Sequence, residues 1–184
     1  MVSTRQITED GWLEAVRWLP SPNFDKRPAR TEISLLVIHS ISLPPGSFGG
    51  SYVDEFFCNK LDPSEHPYFS EIAGIEVSAH LFIDRGGRIT QFVPFMERAW
   101  HAGESSFANC DNCNDYSIGI ELEGTDDSPY TDDQYRALAQ VTRSLMTAYP
   151  RLTKDRIVGH CDIAPGRKTD PGEMFDWQRY LTSM

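Results

Sequence analysis

Hydrophobic and polar positions divide this chain into short apolar runs, several of which end in or hold a histidine. Leu35, Leu36, Val37 and Ile38 lead without interruption into His39, the pattern of a strand buried on both faces. Residues 77–83, which hold His80, and residues 88–93 flank Asp84-Arg85-Gly86-Gly87, a glycine-bearing turn of the kind that joins hairpin strands. Residues 98–103 form a weaker extended segment. Residues 116–123 alternate apolar with small or acidic positions, which sets Glu121 between Ile120 and Leu122 on another strand. At Thr131 a capping-box pattern with Gln134 opens a helix, and Tyr135, Leu138, Ala139, Thr142, Leu145, Met146 and Tyr149 follow at helical spacing until Pro150 stops it. A strand is predicted over 156–159. Strand, helix and strand in that order imply a right-handed crossover and a partly parallel sheet. Shorter helices are predicted over 51–59, with Tyr52, Val53, Phe56 and Phe57 on one side, and over 175–181. The connections at 40–50, 60–75 and 103–115 are rich in Pro, Gly, Asn and Ser and suit the shaping of a site better than the separation of domains. There is no internal repeat. The expected fold is α/β, one domain over residues 1–184.

Composition narrows the function. A chain of 184 residues suffices for one full core and is too short for two ordinary domains. Seventeen Lys and Arg against 27 Asp and Glu give a formal charge of -10, which argues against nucleic-acid binding and docking on anionic membranes. Any anionic ligand therefore needs a local basic pocket. Residues 1–11 hold no continuous apolar segment of a secretory signal, and no stretch approaches the roughly 20 apolar residues of a membrane span, so a soluble cytoplasmic protein is expected. The four cysteines read as thiols. Cys110 and Cys113 have zinc-ribbon spacing, but no second pair accompanies them, and a polar surface loop is the expectation.

Chemistry concentrates near the end of the chain. The strand over 156–159 delivers His160, and Asp170 follows ten positions later in a loop bent by Pro165, Gly166, Pro171 and Gly172. A neutral imidazole and a carboxylate on such a return loop are two ligands that can be aimed at one metal ion. Lys168 adds a cation suited to an anion that forms during a reaction. One histidine at a strand end is more often a hydrogen-bonded structural residue. Four of the five, His39, His80, His101 and His160, nevertheless lie on or just after predicted strands, where sheets gather functional groups. Two histidines and one carboxylate make a catalytic zinc site with an open position, and periodicity leaves open which two. His66, in a proline-bent loop, is the least suited.

Leu35-Leu36-Val37-Ile38-His39 with Ile41-Ser42-Leu43-Pro44-Pro45-Gly46, then Val77-Ser78-Ala79-His80, Arg98-Ala99-Trp100-His101-Ala102-Gly103, Ser117-Ile118-Gly119-Ile120-Glu121-Leu122-Glu123-Gly124 and Gly159-His160-Cys161 through Pro171 resemble, in order, the zinc-dependent N-acetylmuramoyl-L-alanine amidases. Pro20-Ser21-Pro22-Asn23-Phe24 and Phe175-Asp176-Trp177 are similar to the branch that recycles 1,6-anhydro-muropeptides in the cytosol. The resemblance implies a mixed central sheet flanked by helices, Zn²⁺ held by His39, His160 and Asp170, and catalytic roles for Glu121 and Lys168. Glu121 would take a proton from the attacking water and pass it to the departing alanine amine, while Lys168 and the metal hold the oxyanion. Trp100 and His101 would contact the muropeptide and Arg167 a stem carboxylate, with His80 a satisfied core residue. The expected partner is a muropeptide bound by a monomer.

Ser40 stands where the family usually has asparagine, and Gly166 where it usually has glutamate, so contacts to substrate and the order of the loop are the features these positions bear on. Glu76 adds negative charge near the expected stem-peptide path. Three further functional classes stand against this reading. A non-catalytic peptidoglycan-recognition module would lack a ligand, whereas all three are present. An amidase acting on intact murein would need an export signal. A zinc deaminase would need a His-x-Glu motif with a paired Cys cluster.

Overall fold

The apolar run that ends in His39 forms an inner strand of a six-stranded sheet. In the computed structural model, which describes residues 5–184, the strands are β1 (Arg17–Trp18), β2 (Phe24–Lys26), β3 (Leu35–Ile41), β4 (Leu81–Ile83), β5 (Ile89–Gln91), β6 (Glu97–Ala99), β7 (Ser106–Phe107), β8 (Cys110–Asp111), β9 (Ser117–Glu123) and β10 (Ile157–Gly159). The helices are α1 (Tyr52–Phe57), α2 (Pro67–Glu71), α3 (Asp132–Ala148), α4 (His160–Ile163) and α5 (Trp177–Thr182). The main sheet has the order β1-β5-β4-β9-β3-β10. Strands β4, β9, β3 and β10 are parallel, and β5 reverses against β4. This is the expected mixed sheet, with α3 as the crossover between β9 and β10.

The alternation along β9 separates a core face from a working face. Ile118, Ile120 and Leu122 join Leu36 and Ile38 of β3 and Leu81 and Ile83 of β4 in one apolar cluster, covered by Leu138, Val141 and Leu145 of α3 and Tyr180 of α5. Burying each of these side chains is worth about 1.5–3 kcal/mol. The capping box forms as expected, with Thr131 Oγ1 accepting from Gln134 N at 3.1 Å and Gln134 Oε1 accepting from Thr131 N at 3.1 Å. Gln134 Nε2 then donates to the carbonyl of Glu123 at 2.9 Å, tying the helix start to the end of β9.

On the opposite face lie Ser117, Gly119 and Glu121 of β9 and Leu35, Val37 and His39 of β3. Two smaller clusters cover it, one built from Val53 and Phe57 of α1 and Phe69 of α2 with Phe82, Phe92 and Val93, the other from Leu35, Val37, Ala102, Cys113, Tyr116 and Ile163. The functional cleft opens beside them.

Several short elements depart from the sequence reading. The strand expected over 77–83 joins the sheet only from Leu81, because the His80 side chain occupies the amide of Gly119. The extended segment near 98 pairs with β2 rather than with the main sheet, and 103–115 contains the small β7–β8 hairpin. Helix α2 was not foreseen: it starts at Pro67, with His66 Nδ1 accepting from Tyr68 N at 3.1 Å. All four cysteines are free. Among the described residues no helix is long and apolar enough to cross a membrane.

Candidate metal centre

The parallel register brings three distant residues together. His39 sits near the end of β3, and β10, paired with β3 through Gly159 and Ile38, delivers His160 at the next position. The loop after α4 returns Asp170 to the same point, held by a hydrogen bond from Cys161 N to the Asp170 carbonyl at 3.0 Å. His39 Nδ1 lies 3.0 Å from His160 Nδ1 and 3.2 Å from Asp170 Oδ2, and His160 Nδ1 lies 3.1 Å from the same oxygen. In a tetrahedral zinc site with bonds of about 2.0–2.1 Å, ligand atoms are about 3.3 Å apart.

The hydrogen bonds on the far sides of the rings assign their protons. His160 Nε2 faces the carbonyl of Ala102 at 3.1 Å, and a carbonyl only accepts, so the proton of the neutral ring is on Nε2. Its Nδ1 therefore presents a lone pair to a carboxylate. His39 Nε2 lies 2.9 Å from His101 Nδ1, and His101 Nε2 lies 3.1 Å from Ser117 Oγ. Protons on His39 Nε2 and His101 Nε2 make both bonds and leave His39 Nδ1 as a second inward lone pair. Burial pushes the His39 imidazolium down to about 4, against the pull of Asp170. Burial works to raise the Asp170 carboxyl, and a proton on either facing ring would pull it well below the ordinary carboxylate range. Two lone pairs and a carboxylate oxygen facing one another call for a cation, and this donor set fits zinc.

Glu121 stands beside this triad. Its Oε2 is buried and has no hydrogen-bond partner in the protein. Burial raises the carboxyl well above its ordinary value, the charge of Asp170 raises it further, and Lys168 opposes both. A buried carboxylate with a free oxygen and an elevated pKa is suited to moving a proton near neutral pH. The exposed Lys168 lines the same cleft. The cleft measures 640 Å³, with Phe56, Tyr68, Ile72 and Val77 on its apolar side and Ser40, Ser42, Thr125 and Thr169 among its polar residues. A second depression of 430 Å³ shares Val77, Trp100, His101, His160, Arg167 and Lys168 with the first, so the two meet at the metal centre.

The residues expected to contact substrate divide. Trp100 is half-buried and lines both depressions. His101 also reaches the cleft wall, yet both its ring nitrogens are occupied, one by His39 and one by Ser117, so its polar contacts orient His39. Arg167 Nη2 donates to the Ala102 carbonyl at 2.7 Å and the Glu104 carbonyl at 2.6 Å, which commits part of the guanidinium to the loop that receives His160 Nε2. His80 is a fully buried structural residue: Nδ1 accepts from Gly119 N at 3.0 Å, which leaves the Nε2 proton for the Glu97 carbonyl at 3.1 Å.

Sequence reasoning missed three supports of the site. Asn114 Oδ1 accepts from the amides of His101 and Ala102 at 3.1 and 2.8 Å. Gly119 lies under the His101 ring, where a Cβ would come within 2.4 Å of it. Arg27, half-buried, donates to the carbonyls of Phe95, Asn114, Asp115 and Ser117. Only Gly119 carried a sequence signal, as an isolated glycine inside a strand pattern.

With this fold and site in place, the class is clear: residues 29–173 match the N-acetylmuramoyl-L-alanine amidases, and the chain belongs to that family. Over 176 residues, 96% of each chain, it is 60% identical to the 1,6-anhydro-N-acetylmuramyl-L-alanine amidase AmpD of Haemophilus influenzae. A crystal structure of a selenomethionine AmpD derivative superposes with a TM-score of 0.94 at 54% identity, covering 97% of this chain and 99% of that one. The E. coli amidase AmiD, solved with the substrate anhydro-N-acetylmuramic acid-L-Ala-D-gamma-Glu-L-Lys, is 28% identical with a TM-score of 0.61, covering 96% of this chain and 65% of that one.

Proposed function

We propose that this amidase is zinc-dependent and hydrolyses the amide between the lactyl group of 1,6-anhydro-N-acetylmuramic acid and the L-alanine of the stem peptide, as a single-domain cytoplasmic monomer that recycles soluble muropeptides. The observation that carries the reading is the convergence of His39, His160 and Asp170 beside the unpartnered oxygen of Glu121. The 60% identity to a 1,6-anhydro-N-acetylmuramyl-L-alanine amidase supports the substrate. A bipartite substrate also suits two depressions that meet at the reacting centre, one for the sugar and one for the peptide.

Zinc, when bound, supplies Lewis-acid polarisation of an oxygen and lowers the pKa of water. The protein's residues do the rest. Glu121 Oε2 accepts the proton of the attacking water and returns it to the departing alanine nitrogen, and its raised pKa makes it a stronger base than an ordinary carboxylate. Lys168 places a positive charge at the cleft wall, where negative charge develops on the amide oxygen. His101 and the Ala102 carbonyl keep the two histidines in the tautomer that points Nδ1 inward.

The test is mass-spectrometric detection of free tripeptide from an anhydro-muramoyl tripeptide, with matched samples stripped by chelator and reloaded with zinc. Release that vanishes on stripping and returns with zinc is expected. No release from folded, zinc-loaded protein would sink the reading.

A further inference from the structure

Asp170 reaches the metal centre from a loop and not from the end of a strand. Its position must come from the backbone that carries it. The next residue, Pro171, has no N–H to offer, and its carbonyl accepts a buried hydrogen bond from Tyr130 Oη at 2.7 Å. Tyr130 is itself fixed. It is 6% exposed, its ring packs on Phe175 at 5.5 Å, and it lies so close over Gly124 that a Cβ there would come within 2.6 Å of the ring.

A phenol has one proton, and here it goes to the Pro171 carbonyl. Tyr130 lies between β9, which carries Glu121, and α3, and Pro171 follows Asp170, so this bond ties the loop that carries Asp170 to the segment that leaves β9.

We infer that Tyr130 is a positioning residue of the metal centre: its hydroxyl, donated to the Pro171 carbonyl, fixes the loop that sets the Asp170 carboxylate against His39. This rests on the zinc reading above. Exchange of outer hydrogen-bond partners of metal ligands lowers metal affinity by about 10- to 100-fold, so Tyr130→Phe, which keeps the ring and its packing, is expected to weaken zinc by that factor.

Zinc is titrated into the stripped full-length chain in competition with a chromophoric chelator, at a temperature where circular dichroism shows the metal-free protein folded. Cobalt is substituted in parallel, and its visible absorption reports the geometry of the ligands. Tyr130→Phe should bind zinc about 10- to 100-fold more weakly and alter the cobalt bands. Affinity of Tyr130→Phe within twofold of wild type, with unchanged cobalt bands, would overturn the inference and leave the hydroxyl as a partner for a buried carbonyl alone. If metal-free Tyr130→Phe does not fold, Phe175→Leu, which loosens the packing that holds the Tyr130 ring, decides, and unchanged affinity overturns the inference. A wild-type chain that takes up no zinc would instead remove the metal reading, and this inference with it.

Discussion

His39 and Glu121 face one another across adjacent parallel strands, paired in register between β3 and β9. One presents an inward lone pair and the other an unpartnered carboxylate oxygen on the same face of the sheet. A proton acceptor is thereby built beside the metal-seeking triad by strand register alone, without a loop to position it.

Glu121→Gln keeps the shape of this group and removes its basicity. Turnover should fall about a hundred- to ten-thousandfold while zinc binding changes little. Stability should move the other way. The folded carboxyl titrates above its unfolded value of 4.5, so the folded state binds the proton more tightly and the wild-type residue costs stability increasingly as pH rises above 4.5. In metal-free protein, the melting temperature of Glu121→Gln should exceed that of wild type, by a margin that grows from pH 4.5 towards 7. A margin that shrank would contradict the burial argument.

Lys168 is exposed and supports no other element by a hydrogen bond, so its removal should leave the fold intact. Lys168→Ala is expected to retain zinc and lose about a hundred- to a thousandfold in kcat, the usual cost of losing a group that stabilises an oxyanion. Steady-state kinetics on the zinc-loaded variant checks this. Normal turnover would remove the assigned role.

Gly119→Ala tests the support of His39 from below. The added Cβ would meet the buried His101 ring at 2.4 Å, and overpacking of this kind costs about 1–3 kcal/mol. The displaced ring would also release His39 Nε2. A loss of stability in urea melts together with weaker zinc binding is the expected pair of results, and wild-type zinc affinity would show that His101 does not orient His39.

Acid should destabilise the metal-free protein through its buried imidazoles. Burial lowers His39 to about 4, and His80 and His101 well below their ordinary value. Below pH 6.5 the unfolded chain binds protons that these folded rings refuse, so stability is full above 6.5 and is lost as pH falls towards 4. Each ring contributes about 1.4 kcal/mol per pH unit within its window, and Glu121, with the opposite sign, offsets one of them above 4.5. Urea unfolding between pH 4.5 and 7.5 measures the slope. A flat profile would mean the rings are not held neutral.

Much of the frame was legible because its signals are local. The apolar run into His39, the alternation around Glu121 and the capping box at Thr131 each lie within a few residues, and they yield β3, β9 and α3. The resemblance of the ordered motifs named His39, His160 and Asp170 before any geometry, and the structure brings their ligand atoms within 4.8 Å of one another.

What the sequence by itself determined is thus the order along the chain of the main strands and of the helix α3 that links two of them, and which side chains are the candidates for metal-seeking and proton-moving chemistry. Only the tertiary structure decided what those side chains are held by. The tasks of His101, Arg167, Asn114 and Tyr130 consist of single hydrogen bonds to residues 12 to 65 positions away. Such bonds leave no periodicity in the chain, because they depend on where folded elements meet and not on which residues are neighbours in sequence. The shortest elements, β1, β2, β7, β8, α2 and α4, escaped for a related reason: with two to five residues each, they form only where packing against the larger elements compensates the entropy of ordering them.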